Sequence, residues 1–276
     1  MSDTTLQTAA EEAVDKSRSR PLTRWLPGSA IGWLVPALLI AVWELLSRLG
    51  QIPANVLPAP SAVAAAAVRL TASGELQHNI GVSALRALSG FVVGGTVGLI
   101  FGLANGLSAL SEKLTDTTLQ MVRNVPHLAL IPLVILWFGI DEEAKLFLVA
   151  LGVFFPIYIN TLHGIRSVDP QLVEMGRIYG MGSWELFWRV ILPGALPSMF
   201  VGLRYALGIM WLTLIVAETI AASSGIGYMA MQAREFLLVD VVVLSILIYA
   251  LLGKLADSIA RLLERLSLQW HPAYRR

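Results

Sequence analysis

Between Arg86 and Glu112 the chain runs from Ala87 to Ser111 without a single Asp, Glu, Lys or Arg. About 20 mostly apolar residues suffice for a helix to cross the hydrocarbon of a bilayer. Inside that hydrocarbon every backbone N–H and C=O must be satisfied by the segment itself, so an uncharged run of this length is predicted to be a transmembrane helix. Leu146 to Ile165 is a second such run, and Asn124 to Ile140 a shorter third whose helix is expected to start near Thr117. Val190 to Glu218 is interrupted only by Arg204, Val241 to Ala260 carries Lys254 and Asp257 near one end, and Gly32 to Ser47 contains Glu44. The expected fold is an all-α integral membrane protein with six spans, at about 31–48, 86–109, 117–140, 145–165, 195–218 and 240–262.

Composition agrees with this. Of the 276 residues 56% are hydrophobic and 14% charged, where a soluble domain carries about 25% charge. That excludes an ordinary cytosolic enzyme, a disordered protein and a coiled coil. The absence of cysteine excludes disulfide frameworks and thiolate chemistry. A net charge of +1 does not suit a nucleic-acid binder. No GxxxxGKS, HExxH or GxSxG pattern is present, and the four histidines are scattered. The chain is therefore expected to be no enzyme, to hold no metal and to bind no cofactor of its own.

Lys and Arg orient the spans. With the N-terminus in the cytosol, twelve of the twenty fall in cytosolic segments and five in outer ones, the rest lying in or at the edge of spans. This excess predicts both termini on the cytosolic side. Tryptophans such as Trp25, Trp33, Trp43, Trp137 and Trp270 fall near span ends, as an aromatic belt does. Residues 1–27 are read as a disordered cytosolic tail with no signal-peptide pattern, and 28–276 as the six-span domain.

Two connecting segments carry structure of their own. Leu57-Pro58-Ala59-Pro60-Ser61 is a stiff turn, after which Ser61 is placed to cap a short outer helix, Ala62 to Leu70. In the cytosolic segment 166–194, Asp169-Pro170 reads as an N-cap followed by proline at the first helical position. That helix is expected to run to Tyr179 and stop at Gly180-Met181-Gly182. A second short helix, Trp184 to Ile191, is capped by Ser183 and ended by Leu192-Pro193. Leu172, Met175 and Tyr179 share one face of the first, and Trp184, Phe187 and Trp188 one face of the second. The pair is either a hairpin packed on its own bundle or a docking surface for a soluble partner.

Glu174-Met175-Gly176, then Gly180, then nine residues, then Val190-Ile191-Leu192-Pro193 resembles the EAA coupling loop of ABC importer permeases. The pattern's two alanines are replaced here by Met175 and Gly176, and its isoleucine by Val190. The segments MVRNVPHLALIPLVILWFGIDE, FPIYINTLHGIR, VILPGALPSMFVGLRYALG and MWLTLIVAETIAASSGIGYMA extend the likeness from about residue 28 to the end. They resemble the nitrate/sulfonate/taurine branch of these permeases, and within it the aliphatic sulfonate (Ssu-type) permeases. The resemblance implies a type I importer permease fold in the bacterial inner membrane, with two copies of the chain forming the pore. It implies a cytosolic ABC ATPase dimer, holding ATP and Mg, docked on the coupling loop through Glu174, Met175, Gly176, Gly180, Leu192 and Pro193. It also implies a periplasmic sulfonate-binding protein at the outer face. Membrane lipid is a further expected partner, and nucleic acid is not. Taurine, nitrate or a pyrimidine precursor is the alternative cargo.

An ionisable group within a span costs about 2.5–3.5 kcal/mol on insertion scales, so each is a candidate for function. Arg123, Asn124 and His127 cluster in the third span, and Pro126 weakens the helix there. Arg123 and His127 share a helical face, and a guanidinium fork matches the three oxygens of a sulfonate. Arg123 either lines the path or snorkels as an anchor. Arg204 and Glu218 are about 21 Å apart along the fifth span, too far to pair with each other. Each needs a partner elsewhere, such as Glu44 or a second copy, or has a place in a gate. Lys254 and Asp257 can satisfy each other, His78 and His163 read as structural or solvent-facing, and Gly90, Gly94, Gly95, Gly98 and Gly102 form a stripe for close helix packing. A self-sufficient secondary transporter is the competing class, but it predicts an inverted repeat and a central ion site, and neither is visible. A membrane enzyme would need clustered histidines or carboxylates.

Overall fold

The computed structural model describes residues 28–270. The expected N-terminal tail lies outside the described residues. Among those described every regular element is helical. Two units are distinguished, one ending at Pro53 and the other running from Ala54.

The first unit contains α1, Gly28–Arg48, which coincides with the expected span 31–48 and holds Pro36 within it. On its last turn Arg48 Nε donates to Glu44 Oε1 at 2.6 Å.

In the second unit α2, Pro60–Ala72, precedes α3, Glu75–Leu107. The cap of α2 is Ala59 with Pro60 at the first position, not Ser61, because proline's fixed φ suits the first turn and its missing N–H is not needed there. The 33-residue α3 begins well before the uncharged run. Its polar first turns, Glu75 to Arg86, were expected in an outer loop, but Asn79, Ser83 and Arg86 are buried against other elements.

The third expected span is broken. α4, Ala109–Arg123, ends at Asn124-Val125-Pro126, and the chain resumes as a 3-10 turn, His127–Leu130, and α5, Ile131–Phe138. The two halves are bent by 78°. Pro126 supplies no donor to continue the helix. Asn105, fully buried on α3, fastens α4 in place: its amide donates to Thr115 Oγ1 at 2.7 Å and to Tyr158 OH at 3.0 Å.

α6, Glu142–Arg166, packs against α3 along the glycine stripe. A Cβ on Gly90 would lie 2.6 Å from Val149 Cγ1, one on Gly98 2.6 Å from the Phe154 carbonyl, and one on Gly102 2.6 Å from Thr161 Cβ. Gly94 is tighter still, against the Ala150 backbone. Gly95 is turned aside, its nearest neighbour 3.9 Å from a Cβ. The small residues let two helix backbones approach closely.

α7, Pro170–Ile178, and the single turn α8, Ser183–Leu186, follow. The second short helix was expected to end at Leu192-Pro193. Instead it passes through a π-helical turn, Phe187–Ile191, directly into α9, Leu192–Ala221. The wider π turn relieves the clash and the missing donor that Pro193 would impose on a regular helix. The run from Ser183 to Ile220 is thus one 38-residue span. α10, Ile226–Glu235, and α11, Val239–Ser267, complete the unit.

Among the described residues α3, α6, the Ser183–Ile220 run and α11 are long and apolar enough to cross a membrane, four crossings, or five where the bent pair counts as one broken span rather than a re-entrant loop. Their outer faces carry exposed Val92, Ile100, Leu251 and Leu255, side chains that lipid accommodates and water does not.

Candidate functional site

Three groupings collect the polar and charged residues of interest. The first is the elbow. The Asp169 carboxylate accepts from Gln171 N–H at 2.8 Å and starts α7. Gly180, at φ +81°, ends it in the left-handed region that glycine alone enters without strain. The Met181 N–H closes back on the Gly176 carbonyl at 3.0 Å. Gly176 is buried, and a Cβ there would meet Leu186 Cδ1 at 2.6 Å. The glycine that replaces alanine in the coupling-loop pattern thus makes room for Leu186 to join α7 to α8.

The rest of the elbow faces outward. Ile178 is 84% exposed, Tyr179 77% and Trp184 74%, with Leu172, Met175 and Trp188 also open. Trp184, Phe187 and Trp188 pack on one another with ring centres 5.4–6.4 Å apart. Glu174, on the same helix as Leu172, Met175 and Ile178, is exposed and has no ion pair among the described residues. An exposed aromatic and aliphatic cluster of this kind is a surface suited to burial against another protein.

The second grouping is a cavity of about 310 Å3 between the end of α4 and the middles of α6 and α9. Arg123, His127, Asn160 and Tyr205 are its polar residues, and Leu151, Phe155 and Ile209 are among its apolar ones. Phe155 lies about 20 Å from Glu142 along α6, so the cavity is at mid-span. The break at 124–126 is what places Arg123 and His127 on the same cavity. His127 Nε2 sits 3.0 Å from Thr213 Oγ1. Asn124 is not among the lining residues: it caps α4, its N–H directed to the Gln120 and Met121 carbonyls. A second cavity, about 200 Å3, adjoins the first through Arg123, Phe155 and Ile159 and is lined by Glu112, Asp116, His163 and Arg166. Arg166 Nη2 pairs with Glu112 across it.

The other two intramembrane charges lie elsewhere. Arg204 donates to Asp257 on α11 at 3.0 Å and approaches Glu264 at 3.7 Å. Asp257 also takes Arg261 at 2.8 Å, while Lys254 stands at 3.9 Å, so the expected Lys254–Asp257 pair is one edge of a larger network.

Glu218 belongs to the third grouping. Its carboxylate, 1% exposed, accepts from Ser83 Oγ, Arg86 Nη1 and Tyr249 OH at 2.8 Å and from Gly227 N–H at 2.9 Å. Arg86 in turn donates to both oxygens of Glu142, at 2.5 and 2.6 Å, and to the Ser224 carbonyl at 2.6 Å. Ser83 Oγ accepts from Ile226 N–H, and Asn79 Oδ1 from Gly225 N–H. Lys145, also buried, reaches Glu142 at 3.2 Å. A carboxylate in a span is tolerable only when its lone pairs are filled and its charge is met, and here both conditions hold. Ser83 and Tyr249 have no local pattern that would reveal them, since each meets Glu218 from another helix.

A family model described as the inner membrane component of binding-protein-dependent transport systems matches residues 94–267. A protein named as an aliphatic sulfonates transport permease in Escherichia coli (strain K12) is 62% identical over 92% of this chain and 96% of its own. One of the same name in Bacillus subtilis (strain 168) is 46% identical over 95% of this chain and 94% of its own. The taurine transport system permease of Escherichia coli (strain K12) is 35% identical over 91% and 92%. Among solved structures, an inward-facing methionine ABC transporter, MetNI, superposes with a TM-score of 0.50 at 16% identity, covering 68% of this chain and 94% of that one. The chain belongs to the family of inner membrane components of binding-protein-dependent transport systems.

Proposed function

We propose that this chain is the permease subunit of an ATP-driven importer that carries aliphatic sulfonates inward for sulfur acquisition. The observation that carries the substrate is the order of similarity: 62% and 46% identity to proteins named as sulfonate permeases, against 35% to a taurine permease. The elbow supports the division of labour. Glu174 and the exposed apolar side chains of the elbow offer a docking face to a cytosolic ATPase, which would hold the ATP and Mg that this chain does not. The helical run from Ser183 to Ile220 ties that face to a span, so a push on the elbow moves α9 as a rigid lever, as a loop could not. Both termini lie in the cytosol in this reading, two copies form the pore, and a periplasmic sulfonate-binding protein delivers cargo at the opposite face. Arg123 and His127 line the path.

The test is growth of a host lacking this gene with an alkanesulfonate, taurine or sulfate as sole sulfur source. Loss on the alkanesulfonate alone, restored by the gene, is the expected result. Loss on taurine alone would move the cargo to the sister branch.

A further inference from the structure

The mid-span cavity has an uneven lining. Arg123 brings a guanidinium, Asn160 an amide and Tyr205 a hydroxyl, and the remaining lining is largely aliphatic and aromatic. Arg123 makes no ion pair among the described residues. Among the described residues no Asp or Glu lines this cavity, whereas Glu112 and Asp116 line the adjoining one, which Arg123 also borders. Arg123 is exposed and faces no carboxylate within this cavity, so its guanidinium can attract an anion there, and its fork suits an oxyanion with several equivalent oxygens. Asn160 spends one amide hydrogen on the Pro156 carbonyl at 2.9 Å and keeps the other. Tyr205 is exposed with its hydroxyl available. Leu151, Phe155, Ile159 and Ile209 supply the apolar part of the lining. At about 310 Å3 the cavity lies at the small end of ligand pockets, which span about 300–1,000 Å3.

We propose that this cavity is a binding site of the permease itself for an amphiphilic organic anion: the sulfonate head on Arg123, Tyr205 and Asn160, the alkyl chain along Leu151, Phe155, Ile159 and Ile209. Sulfate and nitrate have a head but no chain, so the apolar wall contributes nothing to holding them. The permease then sets its own selection by chain length, in addition to that of the binding protein. Gly152 keeps the site open, since a Cβ there would meet Ile209, Thr213 and His127 at 3.0–3.3 Å. The assignment rests on the sulfonate-importer reading.

The test uses the permease–ATPase complex in phosphatidylcholine nanodiscs without binding protein, with radiolabelled hexanesulfonate as probe. The same complex, with binding protein, is assayed for uptake in proteoliposomes. Saturable binding of hexanesulfonate, not displaced by sulfate, is expected. Arg123→Gln should weaken it at least about tenfold, with Arg123→Lys intermediate because the charge stays and the fork is lost. Ile209→Trp, which fills the apolar wall, should lower hexanesulfonate binding about tenfold or more, with an unchanged melting temperature and ATPase co-purification of the variant complex showing that it is folded. Uptake of hexanesulfonate by the full importer with no binding to the permease complex would overturn the site and leave the importer reading intact. Failure of the full importer to take up any sulfonate would instead overturn that reading. Displacement of the probe by phosphatidylglycerol but not by other alkanesulfonates would make the cavity a lipid site and overturn the proposal.

Discussion

Glu218 and Arg86 stand 132 residues apart in the chain, yet the carboxylate Oε1 and the guanidinium Nη1 meet at 2.8 Å with both side chains buried. Around that pair α3, α9 and α11, the start of α6 and the first turn of α10 are joined by hydrogen bonds. The connecting segment 222–227 is therefore held by both its neighbours, through Asn79, Ser83 and Arg86 on one side and Glu218 on the other.

Removing either partner should be costly, but unequally. Arg86→Gln leaves a buried carboxylate without its cation, and breaking a buried pair in this way costs about 3–5 kcal/mol. Glu218→Gln should cost less, because Arg86 keeps Glu142 as a counter-ion. Thermal unfolding of the detergent-solubilised variants should rank wild type above Glu218→Gln and Glu218→Gln above Arg86→Gln. A double variant falling by the sum of the two single losses would argue against the coupling.

The glycine stripe makes a contrast between adjacent positions. Gly98→Ala places a methyl against the Phe154 carbonyl and Ile157, and overpacking of this kind costs about 1–3 kcal/mol. Gly95→Ala meets only ordinary contacts, so its effect should be neutral or slightly stabilising. Equal melting temperatures for the two would show that α3 and α6 are not packed backbone to backbone.

Arg204 ties α9 to α11 through Asp257, but its side chain is 34% exposed and Arg261 also serves Asp257. Arg204→Gln should therefore lower stability by no more than about 1 kcal/mol, as for a partly screened pair. A loss comparable with that of Arg86→Gln would mean the two networks had been ranked wrongly.

At the elbow, Glu174→Lys reverses an exposed carboxylate that makes no ion pair among the described residues. The expected outcome is normal membrane insertion with the ATPase no longer co-purifying, and sulfonate uptake reduced at least about tenfold. Gly180→Val should act similarly, because a β-branched residue resists a φ of +81°. Co-purification at the wild-type level in both variants would remove the docking role.

Much of the architecture is legible along the chain because its causes are local. An uncharged run long enough for a bilayer predicts a helix wherever it occurs, as at Ala87–Ser111 and Leu146–Ile165. Asp169-Pro170 and Gly180 mark the ends of α7 by turn chemistry that needs no distant partner, and Pro126 marks the break in the third span. Where two local signals compete, the sequence is less decisive: Pro193 reads as a stop, but the π turn before it carries the helix through.

What the sequence determines by itself is thus the set of apolar helices, the elbow and the resemblance that gives them a purpose. What only the tertiary structure decides is where each charge goes. Arg86 and Lys145 sit in segments that read as outer loops and prove buried, while Glu218, a candidate for a gate, is enclosed by four donors from other parts of the chain. Arg123, the last residue of α4 at the 78° bend, lines a cavity at the middle of α6 and α9. Hydropathy is a property of a segment and can be read along the chain. Ion pairing and cavity lining are properties of meetings between segments, and those exist only once the helices have packed.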